Sequence, residues 1–230
     1  AIITNAGNAN AFTGCSGTSS VNETVEELAK LLNCSKKEIL VASTGVIGEP
    51  LDVKKLSPMF AKLTKETNAT WKQAAEAIIT TDTFPKGATA TCKVDDVTIT
   101  ICGIAKGSGM IAPNMATMLG YIATDINLPA NVLSECLNEA CQLSFNSISV
   151  DGDTSTNDSV FLLASASADN IGIDRAEDPK LSDFRAKLRD VMQDLAIQIV
   201  RDGEGASKLV TIDIAGADNE LNARKIGLSI

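Results

Sequence analysis

Histidine is absent from all 230 residues. That absence removes the Ser-His-Asp and Cys-His arrangements and, with them, the usual general base near neutral pH. Aromatics are scarce too, with one Trp, one Tyr and an aromatic share of 3%. Positive charge is in deficit: Lys plus Arg number 20 against 29 Asp plus Glu, a net charge of -9. No stretch joins basic residues to aromatics, so neither the basic face nor the stacking platform that nucleic acids require is present. No apolar run approaches the roughly 20 residues that span a bilayer, which argues against a membrane partner. The longest run, Val160 to Ala168, is broken by serines and reads as a buried strand. No charged-then-apolar segment opens the chain, so no export signal is read. The chain begins on Ala1 rather than methionine, and it is expected to be processed or incomplete, with a lost leader left open.

Cysteine pairing of the metal-binding kind is also missing. The six cysteines, Cys15, Cys34, Cys92, Cys102, Cys136 and Cys141, include no CxxC pair. A structural zinc site needs four suitable ligands at compact spacing, and with no CxxC pair and no histidine that set is not expected here. Cys136 and Cys141 fall five apart on a predicted helix, a spacing that turns them away from each other. Buried free thiols in a reducing compartment account for them.

What is present is a globular composition, 44% hydrophobic and 21% charged, enough for a sizeable core. Ala1 to Thr4 reads as a strand entering a Gly/Asn-rich loop, 5–19. Ser20 and Glu23 have capping-box spacing before a helix carrying Val25, Leu28 and Leu32 on one face. A strand at Ile39 to Ala42 runs into a turn at Ser43 to Gly48. Leu56, Met59, Phe60 and Leu63 mark a second helix, and Trp71 to Ile79 a third. Ala88 to Val94 and Val97 to Ala105 predict a hairpin joined through Asp95 and Asp96, with Cys92 opposite Ile99. A small-residue loop, Lys106 to Asn114, leads into apolar Met115 to Ala123. A helix is expected after Pro129, strands before Asp151 and at Val160 to Ala166, and a long helix from Ser182 to Arg201. Lys208 to Ile214 reads as another strand, and the last residues as a helix without a terminator, which suggests a chain cut short. Strands and helices are mixed without regular βαβ alternation, so the expectation is one α/β (α+β) body with antiparallel sheet.

An enzyme without histidine must find its base elsewhere. One source is the α-amine freed when internal cleavage exposes a Thr, Ser or Cys, with an ordinary pKa of about 7.7 to 8.0. The segment Lys106-Gly-Ser-Gly-Met-Ile-Ala-Pro-Asn-Met-Ala-Thr-Met-Leu-Gly120 closely resembles the self-cleavage region of the ornithine acetyltransferases. Asn5-Ala-Gly-Asn-Ala-Asn-Ala11 resembles that family's Gly/Asn loop, and Ser43-Thr-Gly-Val-Ile-Gly48 its oxyanion-hole segment. Thr80-Thr-Asp-Thr83 resembles a substrate-binding segment, Val150 to Asp158 a signature near the active site, and Gly203 to Lys208 a segment whose glutamate contacts substrate. Taken alone, each has an ordinary reading: a structural threonine, a tight turn, a capped helix end, a solvated lysine. The 151–158 segment lacks the glycine and glutamate of an EF-hand loop. Residues 203–208 lack the spacing of a phosphate loop.

The resemblance covers essentially the whole chain. It implies cleavage between Ala116 and Thr117, so that 1–116 is the carboxy-terminal part of an α chain and 117–230 the truncated amino-terminal part of a β chain. It implies Thr117 as nucleophile and the Thr44 hydroxyl with the Gly45 N–H as oxyanion hole. Substrate contacts fall to Lys106, Thr117, Glu204 and one of Thr80 and Thr81, with Thr80 preferred by its distance from Thr117. The implied fold is stacked mixed or antiparallel sheets flanked by helices, of N-terminal-nucleophile-like type. The implied reaction moves acetyl from N2-acetylornithine to glutamate through an acetyl-threonine, in cytoplasmic arginine biosynthesis. No metal or bound cofactor is implied, and the α and β parts are expected to assemble as a homo-oligomer of αβ units. Three alternatives stay open: a bifunctional enzyme that also takes acetyl-CoA as co-substrate, an N-terminal-nucleophile amidase or aminopeptidase, and an uncut small-molecule binding module. Family members extend further at both ends, and the asparagine and threonine that complete their substrate site have no counterpart here.

Overall fold

The computed structural model describes residues 1–65, 68–112 and 118–230. Strands β1 (Ile2–Asn8) and β2 (Leu40–Val46) form a parallel pair, with helix α1 (Gly14–Leu32) as the crossover between them. Both strands outrun their sequence-predicted ends. β1 continues into the Gly/Asn segment and β2 through Ser43-Thr44-Gly45, where a turn was expected. Each supplies ladder partners to the other from Ile2↔Leu40 to Asn8↔Val46, and a backbone so paired has no need of a local turn. Helix α1 likewise begins well before Ser20. That serine is buried inside the helix, and its hydroxyl donates to the Leu51 carbonyl at 2.8 Å, so its capping-box spacing with Glu23 is not used as a cap. The helix closes on Asn33 in the left-handed region, φ 51°, a conformation asparagine tolerates better than most residues.

Helix α2 (Val53–Leu63) buries Phe60 against Leu28, Ala29 and Ile39, while Met59 and Leu63 of its expected face remain exposed. Helix α3 (Trp71–Ile78) starts from a reciprocal cap between Thr70 and Gln73. The larger sheet contains β3 (Lys86–Val94), β4 (Val97–Lys106), β5 (Leu119–Thr124) and β6 (Ser159–Ala164), ordered as numbered. β3, β4 and β5 run antiparallel and β6 runs parallel to β5. The hairpin turns through Asp95 at φ 50° and sets Cys92 opposite Ile99, as counted from the sequence.

Alternation along β4 sorts its side chains onto two faces. Ile99, Ile101 and Ala105 face the main core with helix α4 (Ala130–Gln142) and helix α5 (Ser182–Arg201). From α5, Phe184, Leu188, Leu195 and Ile199 are fully buried there. On the other face Ile104, Leu119 and Tyr121 meet Ala42 of β2 and Ala75 and Ile78 of α3. A hydrogen bond of 2.7 Å between the hydroxyls of Thr4 and Tyr121 joins the two sheets. The result is a mixed α/β fold of two sheets with flanking helices, the class expected.

Two strand expectations are corrected. At Asp151 the described residues show only isolated bridges, Ile111↔Val150 and Ile111↔Asp151. Residues 208–214 form no regular element, and Val210 is 73% exposed: the β-branched pattern is present, but among the described residues no edge pairs with it. Helix α6 (Glu220–Leu228) follows, as expected. All six cysteines are free; Cys92, Cys136 and Cys141 are buried, whereas Cys15 is exposed. Among the described residues no helix is long and apolar enough to cross a membrane.

Candidate active site

The site lies where the end of β2 meets the end of β4. Gly45 pairs with Gly7 across the parallel ladder and has φ +131°, with a virtual Cβ only 2.3 Å from the Gly7 carbonyl carbon. Any side chain there would force the two strands apart, so the position requires glycine twice over. Its neighbour Thr44 is 1% exposed. The Asn157 side-chain amide donates to the Ser43 carbonyl, tying the 151–158 segment to this strand end.

Lys106 is the last residue of β4, on the face shared with Ile104, and is 1% exposed. Its ammonium donates to Thr80 Oγ1 at 2.8 Å and to Thr44 Oγ1 at 3.3 Å. A hydroxyl that accepts from an ammonium keeps its own proton free for another acceptor. Thr44 is thus left able to donate. Asp82 Oδ2 stands 3.6 Å from the same nitrogen. Burial holds the Lys106 pKa below the ordinary lysine value; the Asp82 carboxylate opposes that, Lys86 adds to it, and Glu204 weakly opposes it. Thr81 takes no part in the lysine contact, its hydroxyl pairing instead with that of Ser108 at 2.8 Å.

Asp82 is the hub of the cluster. Its Oδ1 accepts from Lys86 Nζ at 2.7 Å and from the Gly107 N–H at 2.6 Å, and its Oδ2 accepts from the Thr80 N–H at 3.2 Å. Burial alone would raise its pKa, but the Lys86 and Gly107 donors and the two lysine charges bring it below the ordinary aspartate value. Lys86 is fully buried and also donates to Asp202 Oδ2 at 2.6 Å. Asp202, at the end of α5, accepts from the Thr83 N–H at 3.0 Å and from its hydroxyl. Two residues on, the Glu204 N–H donates to the Ser108 carbonyl at 2.6 Å. The Glu204 carboxyl lies over Gly109, where a Cβ would come within 2.8 Å of its Cδ.

The structure therefore brings Thr44, Gly45, Thr80, Thr81, Lys106 and Glu204 to one region. Ala116 and Thr117 lie outside the described residues. Met118, next in sequence, donates its N–H to Asp158 Oδ1 at 2.7 Å. Asp82, Lys86, Asp202 and Asp158 were not singled out from the sequence. Asp82 and Asp158 sit inside the Thr80–Thr83 and Val150–Asp158 segments, so their signal was available; Lys86 and Asp202 carry none.

A family model described as the ArgJ family matches residues 1–230. Among curated proteins, the chain is 47% identical over 234 residues to "Arginine biosynthesis bifunctional protein ArgJ" of Rhizobium meliloti (strain 1021), covering 100% of this chain and 57% of that protein. To the protein of the same name from Gluconobacter oxydans (strain 621H) it is 48% identical over 232 residues, covering 100% and 54%. A crystal structure of "Arginine biosynthesis bifunctional protein argJ" from Bacillus halodurans is similar at 37% identity and a TM-score of 0.46, over 50% of this chain and 61% of that one. The chain thus spans little more than half the length of the curated relatives it matches.

Proposed function

The chain belongs to the ArgJ family, and on that footing we propose that its full-length protein is a self-cleaving acyltransferase of arginine biosynthesis that moves acetyl from N2-acetylornithine to glutamate. The Thr117 hydroxyl attacks the Ala116 carbonyl, the Ala116–Thr117 amide becomes an ester, and water hydrolyses it to free the Thr117 α-amine. That amine then serves as the base that histidine would otherwise supply. The same hydroxyl takes acetyl from N2-acetylornithine, releasing ornithine, and the amine of glutamate removes it as N-acetylglutamate. Thr44 and the Gly45 N–H stabilise the oxyanion in each acyl step. Lys106 holds a substrate carboxylate with Thr80 beside it, Thr81 being the alternative contact, and Glu204 takes a substrate amine. Deacylation by an amine requires that water be kept from the acyl-threonine.

One observation carries this reading. In a chain without histidine, a buried lysine ammonium is hydrogen-bonded to both Thr44 and Thr80, residues that lie far apart in sequence. The reading needs no metal or bound cofactor, and it places the α and β parts together in a cytoplasmic homo-oligomer of αβ units. A second reading, in which acetyl-CoA is also a donor, is favoured by the word "bifunctional" in the relatives' printed names.

The test is the intact mass of the full-length product beside its Thr117→Ala variant, followed by assays with each donor. Two fragments meeting at Ala116–Thr117, absent from the variant, are expected, together with glutamate-dependent acetyl transfer. Acetylornithine hydrolysis that glutamate does not divert would favour the amidase alternative. A single uncut chain that still binds ligand would favour the binding module. A variant that is cut and active would sink Thr117 as nucleophile.

A further inference from the structure

Three candidate substrate-binding residues, Thr80, Lys106 and Glu204, come from different segments, and one buried charge chain links all three. Asp82 accepts from the Thr80 backbone and from Gly107 and faces Lys106; Lys86 joins Asp82 to Asp202; and Asp202 lies two residues before Glu204. The geometry has a definite sidedness. Lys86 pairs with Ala105 in the β3–β4 ladder and so shares the α5 face, whereas Lys106 points to the opposite face. Asp82 reaches both because it precedes β3 and lies at the strand ends.

We propose that Asp82 is a positioning residue that keeps Lys106 as a buried cation directed at Thr80 and Thr44. A lysine this buried would ordinarily lose its proton to escape desolvation. A neutral amine would neither hold a carboxylate nor polarise its neighbours. Asp82 has one oxygen toward Lys106, while its other accepts from Lys86 and Gly107. Lys86 acts on Lys106 as a nearby like charge, and the Gly107 and Thr80 N–H groups hold Asp82 in place without it. The charged groups that act on Lys106 are Asp82 from the segment after α3, Lys86 from β3, and Glu204 beyond α5. Asp158 in turn feels the Lys106 charge.

This inference rests on the proposed role of Lys106, so its test reads the lysine directly as well as through activity. In the full-length protein, the Lys106 side chain is titrated by NMR of its Cε, assigned by the signal missing from Lys106→Met, and the pH profile of acetyl transfer is recorded in parallel. In the wild type, Lys106 is expected to be charged at neutral pH, with activity falling on the alkaline side as it deprotonates. Asp82→Asn keeps an acceptor for Gly107 and leaves Lys86 paired to Asp202. It is expected to move the Lys106 midpoint and the alkaline limb down by about 1–3 pH units. Lys86→Met removes the like charge and should move both upward. Opposite shifts support the proposal, because the loss of a merely structural ion pair has no reason to produce them. Shifts in the same direction, or none in folded variants, would overturn it, as would a wild-type Lys106 already neutral at pH 7, a result that needs no variant. If the titrations behave as stated but Lys106→Met retains full activity, the positioning holds and the assigned role of Lys106 fails.

Discussion

Burial pushes the Asp158 carboxyl up to about 6, against the pull of the Met118 N–H and the Lys106 charge. Its Oδ2 is buried with no hydrogen-bond partner among the described residues. An acid whose folded pKa is raised favours the fold when protonated, so that contribution is full below its unfolded pKa and is lost as pH rises through about 6. Asp158→Asn retains an acceptor for Met118 and removes the buried charge. Urea unfolding should find the variant about 1–2 kcal/mol more stable than the wild type at neutral pH, after allowance for partial exposure, and nearly equal to it near pH 4. An equal gain at both pH values would place its cause in packing rather than in the charge. Asp158 also shows what was legible at this scale. Thr44, Gly45, Thr80, Lys106 and Glu204 were reached through segments that resemble a family, and the fold gathers them. Lys86 could not be reached: Asp202 lies 116 residues away, and Asp82, though only four residues back, lies outside any helix, where that spacing carries no periodic pattern.

Among the elements, α5 was legible to the residue, since Phe184, Leu188, Val191, Leu195 and Ile199 repeat at helical spacing and all are buried. Leu195 is fully buried and lies 3.1 Å from where a Gly103 Cβ would be, so it is packed directly on β4. Leu195→Ala should cost about 2–5 kcal/mol, the price of a cavity that a helix and a sheet cannot both collapse to fill. Leu221 of α6 is 59% exposed, and its change to alanine should cost under about 0.5 kcal/mol. Chemical denaturation of the two variants checks the pair, and equal losses would contradict the packing described. Elements read less well where tertiary partners decide the outcome. Ser43 to Gly45 looks like a turn because small residues permit one, yet the β1 ladder draws them into a strand. Ser20 has the composition of a cap but serves a tertiary hydrogen bond to Leu51.

At the scale of the whole molecule, the pattern that failed at Lys208 to Ile214 is informative. The segment alternates β-branched and polar residues as a half-buried strand does, yet Leu209, Val210 and Ile212 are 43%, 73% and 46% exposed. Helix α6, which follows, has no buried residue. Apolar surface concentrated in one strand-like stretch and the adjoining helix calls for a cover. Relatives such as the Rhizobium meliloti protein extend well beyond the matched region, which is 57% of their length. The expectation is that in the full-length protein the 208–214 backbone pairs with chain outside these 230 residues. Hydrogen exchange read by mass spectrometry should find peptides spanning 208–214 at least about tenfold slower in the full-length protein than in the 230-residue chain, a difference of about 1.4 kcal/mol in opening free energy. The α5 peptides serve as an internal reference, since the apolar face of that helix is already buried here and their exchange should be slow in both. Equally fast exchange of 208–214 in both proteins would make the segment a loop whose apolar residues have no strand partner, and the alternation in its sequence would carry no pairing information.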